Sequence, residues 1–289
     1  MAQERVSTGD IQGLITTARL ADVTADRTAV EAERPTLGLS RQNQERLLSI
    51  FSPILLLVLW EILVQVGVLD KRFFPAPSSI VGTFTTLVTS GELWKHLTAS
   101  VTRIVIGFAM GAIPALLLGI TMGLSRWVRA FFSPMIAALY PIPKIAILPL
   151  IMLIFGLGEP SKWVIIAIGT FFLVLYNTMA GVMNIPNIYL DVGKNFGANR
   201  AQFYWTIALP GALPLIFTGI KLAAGVALLI IVAAEFVGAK TGIGYLIWQS
   251  WQTFSVETMY VGLIVIAVLG YLVSLAMDEL EHFLIPWRL

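Results

Sequence analysis

Cysteine is absent from the 289-residue sequence, histidine occurs twice, and charged side chains make up only 12% of it. Without cysteine there are no disulfides and no thiolate metal sites, and the redox compartment leaves no trace. His96 and His282 lie far apart in sequence, so no histidine-based metal centre is expected. The net charge of +2 and the lack of a basic run exclude a nucleic-acid partner. No G-x-x-x-x-G-K-[ST] loop occurs; the nearest fragment, Gly193-Lys194, is followed by Asn195. The chain therefore cannot hydrolyse ATP by the usual route. Neither H-E-x-x-H nor G-x-S-x-G is present, which removes the common hydrolase mechanisms.

Apolar residues are what the chain has, at 57% with a mean hydropathy of +0.83, the composition of an integral membrane protein. Six apolar segments, near 47–67, 100–124, 132–156, 162–184, 208–236 and 258–278, each approach the ~20 residues that cross a bilayer. The third contains Pro141, Pro143 and Pro149, so it is expected to kink or unwind where neighbours or a cavity satisfy its carbonyls. Residues 1–46 are polar, with six arginines, and read as a largely disordered cytoplasmic tail. Gly13–Leu20 has the alternation of an amphipathic surface helix, and the late start of the first apolar run does not suit a signal peptide. With both termini inside, inner stretches hold eleven Lys and Arg and outer stretches five, which favours N-in, C-in. The expected domains are thus the tail, 1–46, and a membrane domain, 47–289. In the outer loops, 68–99 is expected to carry a short surface helix, and Trp248 and Trp251 to anchor at the interface or meet an extracytoplasmic protein.

One polar island interrupts the apolar runs: Asp191-Val-Gly-Lys-Asn-Phe-Gly197, followed by Ile207-Ala-Leu-Pro210. Asp191 suits the first turn of a short helix, Gly197 its end or the close approach of a partner's backbone, and Pro210 the first turn of a new helix. The charge bias puts this island in the cytoplasm. Its spacing resembles the EAA motif, E-A-A-x3-G-x9-I-x-L-P, of permease subunits in ATP-binding-cassette (ABC) importers. Asp191 replaces Glu and Val192-Gly193 replaces Ala-Ala; Gly197, Ile207, Leu209 and Pro210 fit. Ser100–Phe108, Pro141–Pro149, Phe155–Gly158, Leu209–Pro214, Ala233–Phe236 and Gly242–Leu246 are similar to the nitrate/sulfonate/taurine/bicarbonate group of those permeases. The likeness runs from about residue 47 to the C-terminus.

The resemblance implies an all-α, type I importer (MetI-like) fold with six transmembrane helices in the bacterial inner membrane. It implies a coupling helix near 188–201, formed by Asp191, Val192, Gly193 and Gly197 with Ile207, Leu209 and Pro210, docking on an ATPase. A second permease copy, two ATPase subunits holding ATP and Mg, and an extracytoplasmic substrate-binding protein are the implied partners. This chain would hold no cofactor and carry out no covalent step. It would move a small anion, such as nitrate, bicarbonate or a sulfonate like taurine, by alternating access.

Charges inside apolar segments are the remaining candidates, because each costs about 2.5–3.5 kcal/mol at mid-membrane unless paired or hydrated. Arg103 and Glu235, near outer ends, suit structural pairing. Lys221 and Glu235 lie about 21 Å apart on a straight helix and cannot pair within it; Lys221 suits a structural role near the island or a substrate contact. Lys144, inside the proline-broken segment with Tyr140 and Pro143, is the candidate substrate pathway. Two copies would offer an anion site; alternatively Lys144 satisfies carbonyls freed by the prolines, or pairs with a neighbouring subunit. Trp60 and Phe171-Phe172, like Tyr140 as a type, suit lipid or core. Two rival readings are an ion-coupled secondary transporter and a non-transporting membrane anchor for an ATPase.

Overall fold

The computed structural model describes residues 41–287. The expected tail helix at 13–20 and Arg288 lie outside the described residues. The chain divides into two units, Met1–Leu59 and Trp60–Leu289. What is described of the first is the start of helix α1 (Arg41–Gln65), where Phe51 and Ile54 to Leu59 are exposed.

The second unit is helical throughout its described residues. After the last turns of α1 come α2 (Pro77–Thr89), α3 (Glu92–Leu124) and α4 (Arg126–Leu139). A 3-10 turn (Lys144–Ile147) leads into α5 (Leu148–Phe155), followed by α6 (Glu159–Met183) and α7 (Asn187–Asn195). Arg200–Phe203 and a π-helical turn, Tyr204–Ala208, run without a break into α8 (Leu209–Gly238); α9 (Ile243–Gln252) and α10 (Val256–Leu284) complete the chain. Four helical runs, α3, α6, Ala201–Gly238 and α10, are long and apolar enough to cross a membrane. The pair α4 and α5, bent by 83°, makes a fifth if it counts as one span, and Phe51–Gln65 is a shorter apolar helix.

Helix ends depart from the expected segments. The second begins at Glu92 rather than near 100, and the sixth runs to Leu284 rather than 278, because helices extend beyond their apolar windows. The broken third segment is as expected.

Small residues set the packing. Gly107, Gly111, Ala115, Gly119 and Gly123 recur every fourth position of α3 and so form one stripe. A Cβ on Gly111 would lie 2.3 Å from the Ala167 carbonyl oxygen, and one on Gly119 would lie 2.7 Å from Thr178 Cβ. This stripe lets α3 and α6 run side by side at close range, the small-xxx-small device of membrane helices. Helix α8 lies antiparallel on α6, with Gly181 against Ala212 and Gly219 against Asn177. At the far end, Ile80 and Leu87 of α2, Leu93 of α3, Ile243, Leu246 and Ile247 of α9, and Val261 of α10 form a separate apolar cluster. It caps the end of the bundle opposite α7, and α2 is a short helix within 68–99, where one was expected.

Candidate functional site

The polar island folds as α7 and the turn that follows it. Helix α7 ends in a left-handed glycine: Gly197 has φ +67°, and the Ala198 N–H bonds back to the Gly193 carbonyl at 2.9 Å. That six-to-one closure satisfies a carbonyl that the helix end would otherwise orphan. Asn199 and Gln202 then exchange bonds, each backbone N–H donating to the other's side-chain oxygen at 2.9 Å, and start the next helix. Gly193 is buried, and a Cβ there would lie 2.5 Å from Ile207 Cδ1 and 3.2 Å from Phe203. The motif's Gly193 and Ile207 are therefore neighbours, fourteen residues apart in sequence. Away from that contact α7 exposes Ile188, Tyr189 and Val192, and Phe196 just after it is 87% exposed.

Two local expectations are corrected. Asp191 lies in the second turn of α7, since the helix begins at Asn187, directly after Pro186. Pro210 does fall in the first turn of α8, but α8 is not a separate helix, since it continues the Ala201–Gly238 run. The π turn explains its tolerance. Leu209 N–H bonds to Tyr204 O, five residues back, so the ladder is already shifted where Pro210 lacks a donor.

Arg103 and Glu235 are brought together, both buried, with Arg103 Nη1 2.7 Å from Glu235 Oε1. All five guanidinium N–H groups are used: Nε and Nη2 grip Glu159 at 2.6 Å each, and Nη1 and Nη2 also reach the carbonyl and hydroxyl of Thr241. Glu235 has a second task. The first three amides of the α9 entry are capped from other helices: Gly242 by His96 Nδ1 at 3.1 Å, Ile243 by Ser100 Oγ at 2.8 Å, and Gly244 by Glu235 Oε2 at 2.8 Å. A carboxylate at a helix N-terminus also complements the dipole. The node thus ties α3, α6 and α8 to the start of α9.

Lys144 lies at the bend, and its ammonium donates to three carbonyls, Leu139 at 3.1 Å, Tyr140 at 2.7 Å and Ile142 at 2.8 Å. It also stands 4.4 Å from the centre of the Phe172 ring. All three N–H donors are engaged, as the carbonyl-capping alternative requires. Beside it opens a cavity of about 490 Å³ walled by Met110, Ile142, Ile147, Phe171 and Phe172. Tyr140 touches the ring edges of Tyr176 and Phe172, and Pro143 precedes the 3-10 turn. Lys221 does not meet Glu235; it bonds Asp278 at 2.6 Å and also Glu281, both on α10.

Glu159, Ser100, Asp278 and Glu281 escaped the sequence reading. Asp278 was legible as a charge once the last span is carried past residue 278, and Asn199-x-x-Gln202 as a capping pattern. Ser100 and Glu159 carry no signal until α3, α6 and α8 are packed. Among the described residues no group of His, Asp and Glu is placed to hold a metal.

A family model described as the binding-protein-dependent transport system inner membrane component matches residues 115–286. The chain belongs to that family. Among its relatives, the taurine transport system permease protein TauC of Escherichia coli is 33% identical over 246 residues, covering 83% of this chain and 90% of TauC. The riboflavin transport system permease protein RibX of Chloroflexus aurantiacus is 33% identical over 234 residues, covering 81% and 87%. The nitrate import permease protein NrtB of Synechocystis is 29% identical over 270 residues, covering 87% and 97%. The membrane fold matches that of the inward-facing MetNI methionine ABC transporter with a TM-score of 0.60 at 18% identity, over 67% of this chain and 97% of that one. This inner membrane component is therefore a multi-pass ABC permease with a MetI-like fold, as the motifs implied.

Proposed function

We propose that the chain is one membrane half of an ABC importer and that α7 is its handle for the ATPase. The observation that carries this is the shape of α7. Gly193 locks the helix to Ile207, while Ile188, Tyr189 and Val192 on it and Phe196 just after it are left in the open. An apolar surface on a short helix between two spans is suited to a protein partner. Asp191, Val192, Gly193, Gly197, Ile207, Leu209 and Pro210 form or hold that handle. Two copies of the chain, two ATPases binding ATP and Mg, and an extracytoplasmic binding protein complete the assembly. In this reading α1 supplies a sixth span, both termini lie in the cytoplasm, and 1–46 is a tail outside the 47–289 membrane domain. ATP-driven closure of the ATPases would draw the two α7 helices together and turn the pathway outward.

The cargo in this reading is a small anion, nitrate, bicarbonate or a sulfonate such as taurine. The names of TauC and NrtB support it, as does a cation beside the cavity at the bend. Because its protons are engaged, Lys144 acts there through its field, with Tyr140 and Pro143 shaping the bend. Membership of the family speaks against a gradient-coupled carrier. Purification in gentle detergent tests the handle: an ATPase should accompany the wild-type chain and be lost from Phe196→Asp, which alters only an exposed residue. A wild-type chain that comes down without any ATPase would refute the reading.

A further inference from the structure

Lys221 of α8 faces two carboxylates of α10, Asp278 and Glu281, so the cluster carries one positive and two negative groups. It is not sealed: the Lys221 side chain is 32% exposed and that of Asp278 49%. Next to it is a notch of about 130 Å³ lined by Gly225, Gly270 and Ser274, where small side chains leave room for water.

The depth of the cluster makes this exposure informative. Gly219, two residues before Lys221, packs on Asn177 and the Leu173 carbonyl of α6. Those residues lie about 9–15 Å along the helix from the α6 end at Met183. Helix α6 is about 37 Å long and the hydrocarbon about 30 Å thick, so a layer centred on α6 takes in Lys221, with Asp278 and Glu281 toward its inner boundary, about 9 and 4.5 Å from the α10 end at Leu284. Half-exposed charges at such a depth face a water-filled cavity or the interior of a bundle, not lipid tails.

We infer that the face of α8 and α10 bearing Lys221, Gly225, Gly270, Ser274 and Asp278 is a wall of the aqueous conduit. The inference rests on the importer reading and states where its path runs. A polar solute passing there meets an ammonium and a carboxylate that already hold each other, so it can be touched by either without being trapped by a lone charge.

The lack of cysteine in the chain makes the test direct. Single variants Ser274→Cys and Gly225→Cys are compared with Leu117→Cys in native-membrane vesicles opened to a charged, membrane-impermeant thiosulfonate on both faces. Leu117 is 61% exposed on α3, near the same depth, since Gly119 beside it packs on Leu175 and Thr178. A Cβ on Gly225 meets nothing within 4 Å, so that variant keeps its fold even where Ser274→Cys does not. The expected result is labelling at least about ten-fold faster at 274 and 225 than at 117, as water access to a thiolate requires. Rates equal to that at 117 would overturn the inference. So would spontaneous cross-linking between copies without labelling, which would make this face a contact between chains. Neither outcome depends on whether an ATPase copurifies, so this inference and the importer reading fail separately.

Discussion

Glu235→Gln is the sharpest probe of the buried node, because it changes almost no volume and removes one charge. The carboxylate accepts from Arg103, Ser100 and Gly244, with both oxygens occupied. Glutamine keeps one acceptor oxygen and turns the other position into an NH2 donor. Whichever way it is flipped, that donor faces either the Gly244 N–H or the Arg103 guanidinium, and one contact becomes repulsive. Removing one partner of a buried pair costs about 3–5 kcal/mol. Arg103 keeps its two bonds to Glu159, so the lower end applies, about 3 kcal/mol.

Such a loss corresponds to a fall in Tm of roughly 6–12 °C, at about 2–4 °C per kcal/mol for a domain of this size. The matching variant Glu159→Gln breaks a pair whose carboxylate side chain is 48% exposed. Solvent already screens that side, so the cost there is about 1 kcal/mol or less. Heating the detergent-solubilised protein and following the loss of its monodisperse peak measures both. Hydrogen exchange supplies the local readout: the amides of Ile243 and Gly244 should lose protection in Glu235→Gln and keep most of it in Glu159→Gln. Equal Tm shifts for the two variants, or unchanged protection of Gly244, would refute the account of Glu235 as the cap of α9.

Gly111→Ala should destabilise by about 3 kcal/mol, at the upper end for overpacking, because its Cβ would press on the Ala167 backbone and only separation of α3 from α6 relieves it. Gly225→Ala, with open space around it, is the control, and equal thermal stability of the two would contradict the stripe. Lys144→Met removes three carbonyl bonds, about 3 kcal/mol at roughly 1 kcal/mol each. Spin labels on α4 and α5 should then report a broadened distance across the 83° bend, together with reduced anion uptake; an unaltered distance and full uptake would dismiss Lys144 from both roles. Phe196→Asp should release the ATPase, and Ser274→Cys should react with a water-borne reagent, as argued above.

Much of this was legible from the sequence because membrane helices announce themselves by apolar length and their breaks by proline. The bend at Pro141–Pro149 and the left-handed end at Gly197 each follow from a single residue type with a single backbone consequence. Pairings were legible only in part. Arg103 and Glu235 were expected to be paired because charges in apolar runs need partners, yet nothing in the sequence says that the partner is the other one, 132 residues away. The glycine stripe of α3 lay in plain view at period four, but which helix it receives depends on packing. Pro210 misled because a proline in a helix usually marks its start; here a π turn absorbs the missing donor, and no residue pattern shows that turn.

The long helical run Ala201–Gly238 joins these features. At one end Ile207 is held by Gly193 of α7, fourteen residues further on Lys221 faces Asp278, and fourteen beyond that Glu235 caps α9. A straight run of 38 residues spans about 57 Å and carries a displacement along its axis with little loss. Its hydrogen-bond ladder is irregular near the α7 end, at the π turn Tyr204–Ala208 that contains Ile207 and again at Pro214. Bending concentrates where the hydrogen-bond ladder is shifted. Pro210 keeps it shifted, since a residue without an N–H cannot restore the ordinary bond there. In the importer reading proposed above, a push on α7 would reach Lys221 through this joint. On this reasoning Ile207 and Pro210 belong to the same device as Gly193, although neither needs to touch an ATPase.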